Sequence, residues 1–119
     1  MNVEEFRDYC LAKKHVTESF PFDKETLVFK VADKMFALIG LEQKPSRVNL
    51  KCNPEKSIEL REQYPEIYAG YHMSKKHWNT LIIEGNLTNK LIKELVDHSY
   101  NLVVQGMAKK KQKELGFIN

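Results

Sequence analysis

The segment Gly70-Tyr-His-Met-Ser-Lys-Lys-His-Trp-Asn-Thr80 holds the densest group of residues able to do chemistry. Tyr71, His72, Lys75, Lys76, His77 and Trp78 combine cations, hydrogen-bond donors and flat rings. Nucleic acid uses each type: lysine for phosphate, Trp or Tyr for stacking on an exposed base, His or Asn for polar contacts. Tyr71, His72 and Asn79 could instead border a small-molecule pocket. A plainer reading competes, in which Trp78 and Tyr71 fill the core and the lysines mark a solvated hairpin tip.

Two other groups carry positive charge. Arg47 and Lys51, with Asn49 between them, alternate with apolar residues and would extend a basic surface across a sheet. Polar outward residues are also what any one-sided sheet presents to water. Lys109, Lys110 and Lys111, followed by Lys113, form a run that attracts polyanions in a salt-dependent way, as solvated helix ends also do.

Catalytic patterns are missing from the sequence. His72 and His77 lie five apart with no HExxH or carboxylate partner, which argues against a metal site. Ser74 lies between them without a GxSxG context, and the five scattered glycines form neither a P-loop nor a GxGxxG turn. The expectation is a protein that is not an enzyme and needs no cofactor.

Net charge alone decides little, and a pI of 8.8 falls short of the strongly basic range of a dedicated nucleic-acid binder. The 119 residues carry 19 Lys+Arg against 16 Asp+Glu, a net charge of +3. Residues 1–70 hold 11 basic and 12 acidic side chains, whereas 71–119 hold 8 and 4, so the excess is C-terminal. Only Arg7, Arg47 and Arg61 are arginines, and lysine is a mobile point charge that cannot make the bidentate contacts that read guanine. Any nucleic-acid contact should therefore follow the backbone. Cys10 and Cys52 sit 42 positions apart among apolar neighbours and read as buried free thiols. The acidic start MNVEEFRDYC does not resemble a signal peptide, and no run nears 18 apolar residues, so a soluble cytoplasmic protein is expected.

These residues need elements to position them. Asn2 and Glu5 form a capping box ahead of a helix with Val3, Phe6, Tyr9 and Cys10 on its apolar side. Thr17 to Asp23, with Pro21 between Phe20 and Phe22, predicts an ordered loop. Leu27, Phe29 and Val31 alternate, and the run Met35 to Leu41 completes a hairpin. Arg47 to Cys52 is a third strand, placing Val48, Leu50 and Cys52 inward. Asn53 and Pro54 begin a second helix that Pro65 closes. Ile67 to Met73 and Trp78 to Glu84 make two more strands before the Gly85-Asn86 turn. Thr88 caps a long helix with Ile92, Leu95, Val96, Ser99, Leu102 and Val103 in one stripe, and residues 109–119 remain as a basic tail. The order α-β-β-β-α-β-β-α predicts a two-layer α+β domain over residues 1–119, with a five-stranded antiparallel sheet.

The segments TLVFKVADKMFALIGL (26–41), RVNLKCNPEKSIELREQYP (47–65) and AGYHMSKKHWNTLIIEG (69–85), followed by the long helix, closely resemble the MmcQ/YjbR family of small bacterial proteins. Gly70 to Thr80 is the most specific part of the likeness. Ala32-Asp33 departs from it, standing where the hairpin is expected to have a glycine. The resemblance implies a fold like that of type III secretion chaperones, and DNA binding through likeness to a double-wing domain. Fold likeness alone does not assign function. The leading expectation is non-specific DNA binding through Lys75, Lys76, His77 and Trp78, supported by Arg47, Lys51 and Lys109 to Lys111. The alternatives are a protein-interaction module or a small-ligand domain using Tyr71, His72 and Asn79. A monomer is expected; a dimer would favour the interaction module.

Overall fold

The computed structural model describes all of residues 1–119 except Tyr71 and His72. Helix α1 (Val3–Leu11) starts as the capping box requires: Glu5 N–H donates to Asn2 Oδ1 at 2.8 Å and Asn2 N–H to Glu5 Oε1 at 3.2 Å. Its buried residues, Phe6 and Cys10, lie four apart on one face. His15 adopts φ 62° and turns the chain into strand β1 (Val16–Ser19). This strand corrects the loop expected from Thr17 onward. With one apolar residue in four it shows no hydrophobic alternation, and it is held instead by pairing with β2 (Thr26–Val31), from Val16 opposite Val31 to Ser19 opposite Val28.

Strands β2 and β3 (Lys34–Gly40) form the predicted hairpin. Its two-residue turn holds Ala32 at φ 46° and Asp33 at φ 70°, the left-handed geometry that hairpin twist favours. A bulge between Phe29 and Lys30 leaves Phe36 as the extra residue of β3. Strand β4 (Arg47–Lys51) alternates as read, burying Val48 and Leu50 on one face. Asn53 then caps α2 (Pro54–Gln63), accepting from the backbone N–H groups of Glu55 and Lys56.

Strands β5 (Ile67–Ala69) and β6 (Trp78–Ile82) follow, and β6 pairs with β4 as well as β5. The sheet therefore has six antiparallel strands in the order β1-β2-β3-β4-β6-β5, one more than expected. Thr88 caps α3 (Asn89–Gln105), which crosses β2, β3 and β4 and buries Ile92, Leu95, Val96, Ser99, Tyr100, Val103 and Val104. This helical side encloses the main core, with Phe6, Phe29, Phe36 and Ile39 all fully buried.

Residues 109–119 do not trail away as a simple tail. Lys109–Glu114 form α4; Gln112 is buried and donates to Met107 O at 2.8 Å, and Phe117 packs edge-on against Tyr100 and His15. Among the described residues no helix is long and apolar enough to cross a membrane.

Candidate functional site

The six strands give the molecule two ends. At one end lie the β2–β3 turn, the start of β3 at Lys34, the end of β4 at Lys51 and the start of β6 at Trp78. The corner between α3 and α4 meets this end, because Leu102, Val103, Gly106 and Met107 share a shallow depression with Lys34, Met35, Lys51 and Trp78. Lys34, Lys75, Lys76, His77, Lys109, Lys110 and Lys111 are all exposed, and Lys51 is half-buried. The fold thus gathers at one end lysines that are up to 77 positions apart in the chain.

The Lys75–His77 turn is rigidly held from behind. Arg61, on α2, donates from Nε to Asn79 Oδ1 at 2.7 Å and from Nη2 to the carbonyls of Lys75 and Trp78. Asn79 donates in turn to Ser57 Oγ at 3.1 Å. The backbone adds Trp78 N–H to Ser74 O at 2.9 Å and Cys52 N–H to His77 O at 2.8 Å. Gly70 closes the arrangement: its N–H donates to Trp78 O at 2.9 Å, and a Cβ there would stand 3.1 Å from Trp78 Cβ. The glycine, the asparagine and the arginine are therefore positioning residues that present the lysines to solvent.

Two sequence candidates have other surroundings. Trp78 is only 9% exposed and packs with Val28 and Leu38 as a second small core on the sheet face away from α3, flanked by Met35 and Met73. It offers no open ring for base stacking. Asn79 is 2% exposed, on the α2 side, and does not line the cavity on the opposite face of the sheet. Tyr71 and His72 lie outside the described residues.

Arg47 is separated from the lysines. It stands at the opposite end of β4 from Lys51, about 13 Å away at the rise of an extended strand. It lines a cavity of about 900 Å³ on the sheet face away from α3, together with Met35, Leu38, Met73, Trp78, Asn49 and Thr80. One row of paired residues crosses this face: Val28, Leu38, Asn49, Thr80 and Tyr68. Within it Thr80 Oγ1 donates to Asn49 Oδ1 at 2.7 Å. Arg47 Nε is buried and has no hydrogen-bond partner among the described residues.

Sequence reasoning missed Arg61 and Lys34. Ser57 and Arg61, spaced i, i+4 on α2, were a legible sign of a polar contact on that face. Lys34 gave no local sign, because its neighbours at this end arise from strand pairing.

A sequence profile described as YjbR matches residues 11–102. The Escherichia coli K12 protein named uncharacterized protein YjbR is 33% identical over 115 residues, covering 97% of this chain and 98% of that one. The E. coli O157:H7 protein named uncharacterized protein YbdF is 40% identical over 96 residues, 81% of this chain and 79% of that one. Among solved structures, a Deinococcus radiodurans protein with domain DUF419 superposes with a TM-score of 0.92 at 44% identity, covering 97% of this chain and 88% of its own. A Pseudomonas syringae protein superposes with a TM-score of 0.74 at 33% identity, covering 86% of this chain and 98% of its own.

Proposed function

The chain belongs to the YjbR family, and from that membership and the lysine-rich end of its sheet we propose that the protein binds DNA through the phosphate backbone, without reading base sequence. The observation that carries this reading is the convergence of Lys34, Lys51, Lys75, Lys76 and the α4 lysines on one end of the fold. Polyanions are held by this kind of fixed cluster, and each phosphate engaged releases condensed counterions. Lysine in place of arginine supports backbone contact over base readout. The burial of Trp78 removes the stacking contribution that would favour single strands.

Fluorescence anisotropy with labelled random-sequence duplex and single-stranded DNA tests the proposal. With about four phosphates engaged, raising salt from about 50 mM to about 200 mM weakens binding about 100-fold. Replacing Lys75 and Lys76 with Gln lowers the slope of log affinity against log salt by about 2. No binding at the lower salt, or a slope indifferent to the double substitution, overturns it.

A further inference from the structure

The half-buried Arg47 at the far end of β4 is not used by the lysine cluster. Arg47 Nε is buried and has no acceptor among the described residues. Among the described residues no carboxylate comes within ion-pair distance of Arg47, the pairs there being Arg7 with Glu18 and Lys13 with Asp97. A buried donor left unpaired is costly, and native structures seldom keep one without a use.

The surroundings describe a ligand. The cavity beside Arg47, at about 900 Å³, falls in the range that holds small organic molecules. Its walls are apolar where Met35, Leu38, Met73 and Trp78 meet, and polar at Asn49 and Thr80 beside them. Asn49 spends Oδ1 on Thr80 and keeps its amide N–H groups without an acceptor among the described residues. Phe22 and Asp23 join the lining from the loop before β2.

We propose that this cavity binds a small monocarboxylic acid with an apolar body, its carboxylate on the Arg47 guanidinium and its body against Leu38, Met35, Met73 and Trp78. A carboxylate matches the planar fork of arginine, and one arginine neutralises one negative charge. A phosphate dianion would bring a second charge with no second cation among the described lining residues, and it would share the cavity with Asp23. The Asp23 carboxylate stays ionised because it accepts from the backbone N–H groups of Glu25 and Thr26 at 2.9 and 2.7 Å. The site is independent of the DNA reading, since none of its anion-binding groups lies in the lysine cluster.

Trp78 is the one tryptophan of the chain and lines the cavity, so it reports occupancy. The full chain is titrated with 4-phenylbutyrate, octanoate and 2-naphthoate and with the corresponding amides, followed by Trp78 fluorescence for the aliphatic pair and by Met35 and Met73 methyl resonances for all. At least one acid is expected to bind about tenfold or more tighter than its amide, as a charge-assisted pair implies. Arg47→Met is expected to abolish that preference, bringing acid and amide to the same affinity. If Arg47→Met does not fold, Leu38→Trp, which fills the cavity without touching the charge, is expected to block acid and amide alike. Equal affinity for acid and amide, undiminished acid binding in Arg47→Met or Leu38→Trp, or no binding of any acid at millimolar concentration overturns the proposal. Binding only of a peptide through its C-terminal carboxylate would also overturn it, replacing the small molecule with a protein partner.

Discussion

Arg61 Nε and Asn79 Oδ1 meet at 2.7 Å beneath the sheet, joining α2 to β6 directly under the turn that carries Lys75, Lys76 and His77. The same guanidinium caps the carbonyls of Lys75 and Trp78, so one side chain fixes both the strand and the turn. Arg61→Met leaves Asn79 Oδ1 and two carbonyls without this donor, and a stability loss of about 2 kcal/mol is expected, in the range for hydrogen bonds to a charged group. Urea denaturation measures the loss. Amide exchange should accelerate at His77 and Trp78 well before it does in α3, and uniform acceleration would contradict the local role.

Ser99 performs a comparable task on the helical side. It is fully buried; its hydroxyl donates to Phe36 O and accepts from Lys51 N–H at 2.9 Å. The β3–β4 ladder runs only as far as Ala37 opposite Leu50, so the hydroxyl continues the pairing where the bulge has displaced Phe36. Ser99→Ala strands two buried backbone groups, with an expected cost of about 2 kcal/mol by thermal or denaturant unfolding. A neutral substitution would mean that water replaces the hydroxyl.

The β2–β3 turn is built from residues that do not suit it. Ala32 and Asp33 both hold positive φ, a region costly for residues with a Cβ. Replacing the pair with Asn-Gly, through Ala32→Asn and Asp33→Gly, is expected to raise stability by about 1 kcal/mol. Ala32→Val should lower it by at least as much, because a β-branched side chain fits this region worst. Melting curves on the two variants check both signs.

His98 adds a dependence on pH. Its Nε2 accepts from Asn53 N–H at 3.1 Å, at the cap of α2, and burial first, then the Lys56 charge, holds its pKa below the usual 6.5. The unfolded chain therefore takes up the proton before the folded one does. Stability contributed by neutral His98 is fully present above about pH 6.5 and declines as pH falls below it towards the lowered folded pKa. His98→Gln should flatten the stability profile in that window, measured by denaturant midpoints at a series of pH values.

Much of this architecture was legible in residue order. The Asn2 and Glu5 pair marked α1, the strict alternation of Arg47 to Cys52 marked β4, and the stripe from Ile92 to Val103 marked the core face of α3. Strand β1 was not legible, because its four residues are placed by the edge of β2 and by the Arg7 and Glu18 ion pair at 2.7 Å, both of them tertiary. Helix α4 left a fainter sign: good helix formers ending at Gly116, which takes φ 79°, with Phe117 beyond it to anchor the end.

The candidate site divided along a similar line. Arg47, Asn49 and Lys51 look alike in sequence as outward residues of one strand, yet Arg47 lines an open cavity and Lys51 joins a cluster of lysines. A clue was present in Leu27-Val28-Phe29 and in Phe36 to Ile39, where consecutive apolar residues mark strands buried on both faces. Such runs show that the second face is covered without showing what gathers there.

The placement of charge along the strands has a dynamic consequence. Lysines crowd the end where β4 finishes, whereas at the opposite end Asp23, Glu25, Glu42, Glu66 and Glu84 are interspersed with Lys24, Lys44 and Arg47 and nearly balanced by them. Uncompensated positive charge is therefore concentrated at one end of the sheet. In the field of a long polyanion that asymmetry would turn the protein before contact, with the lysine turn foremost, and the effect fades as added salt shortens the reach of the field.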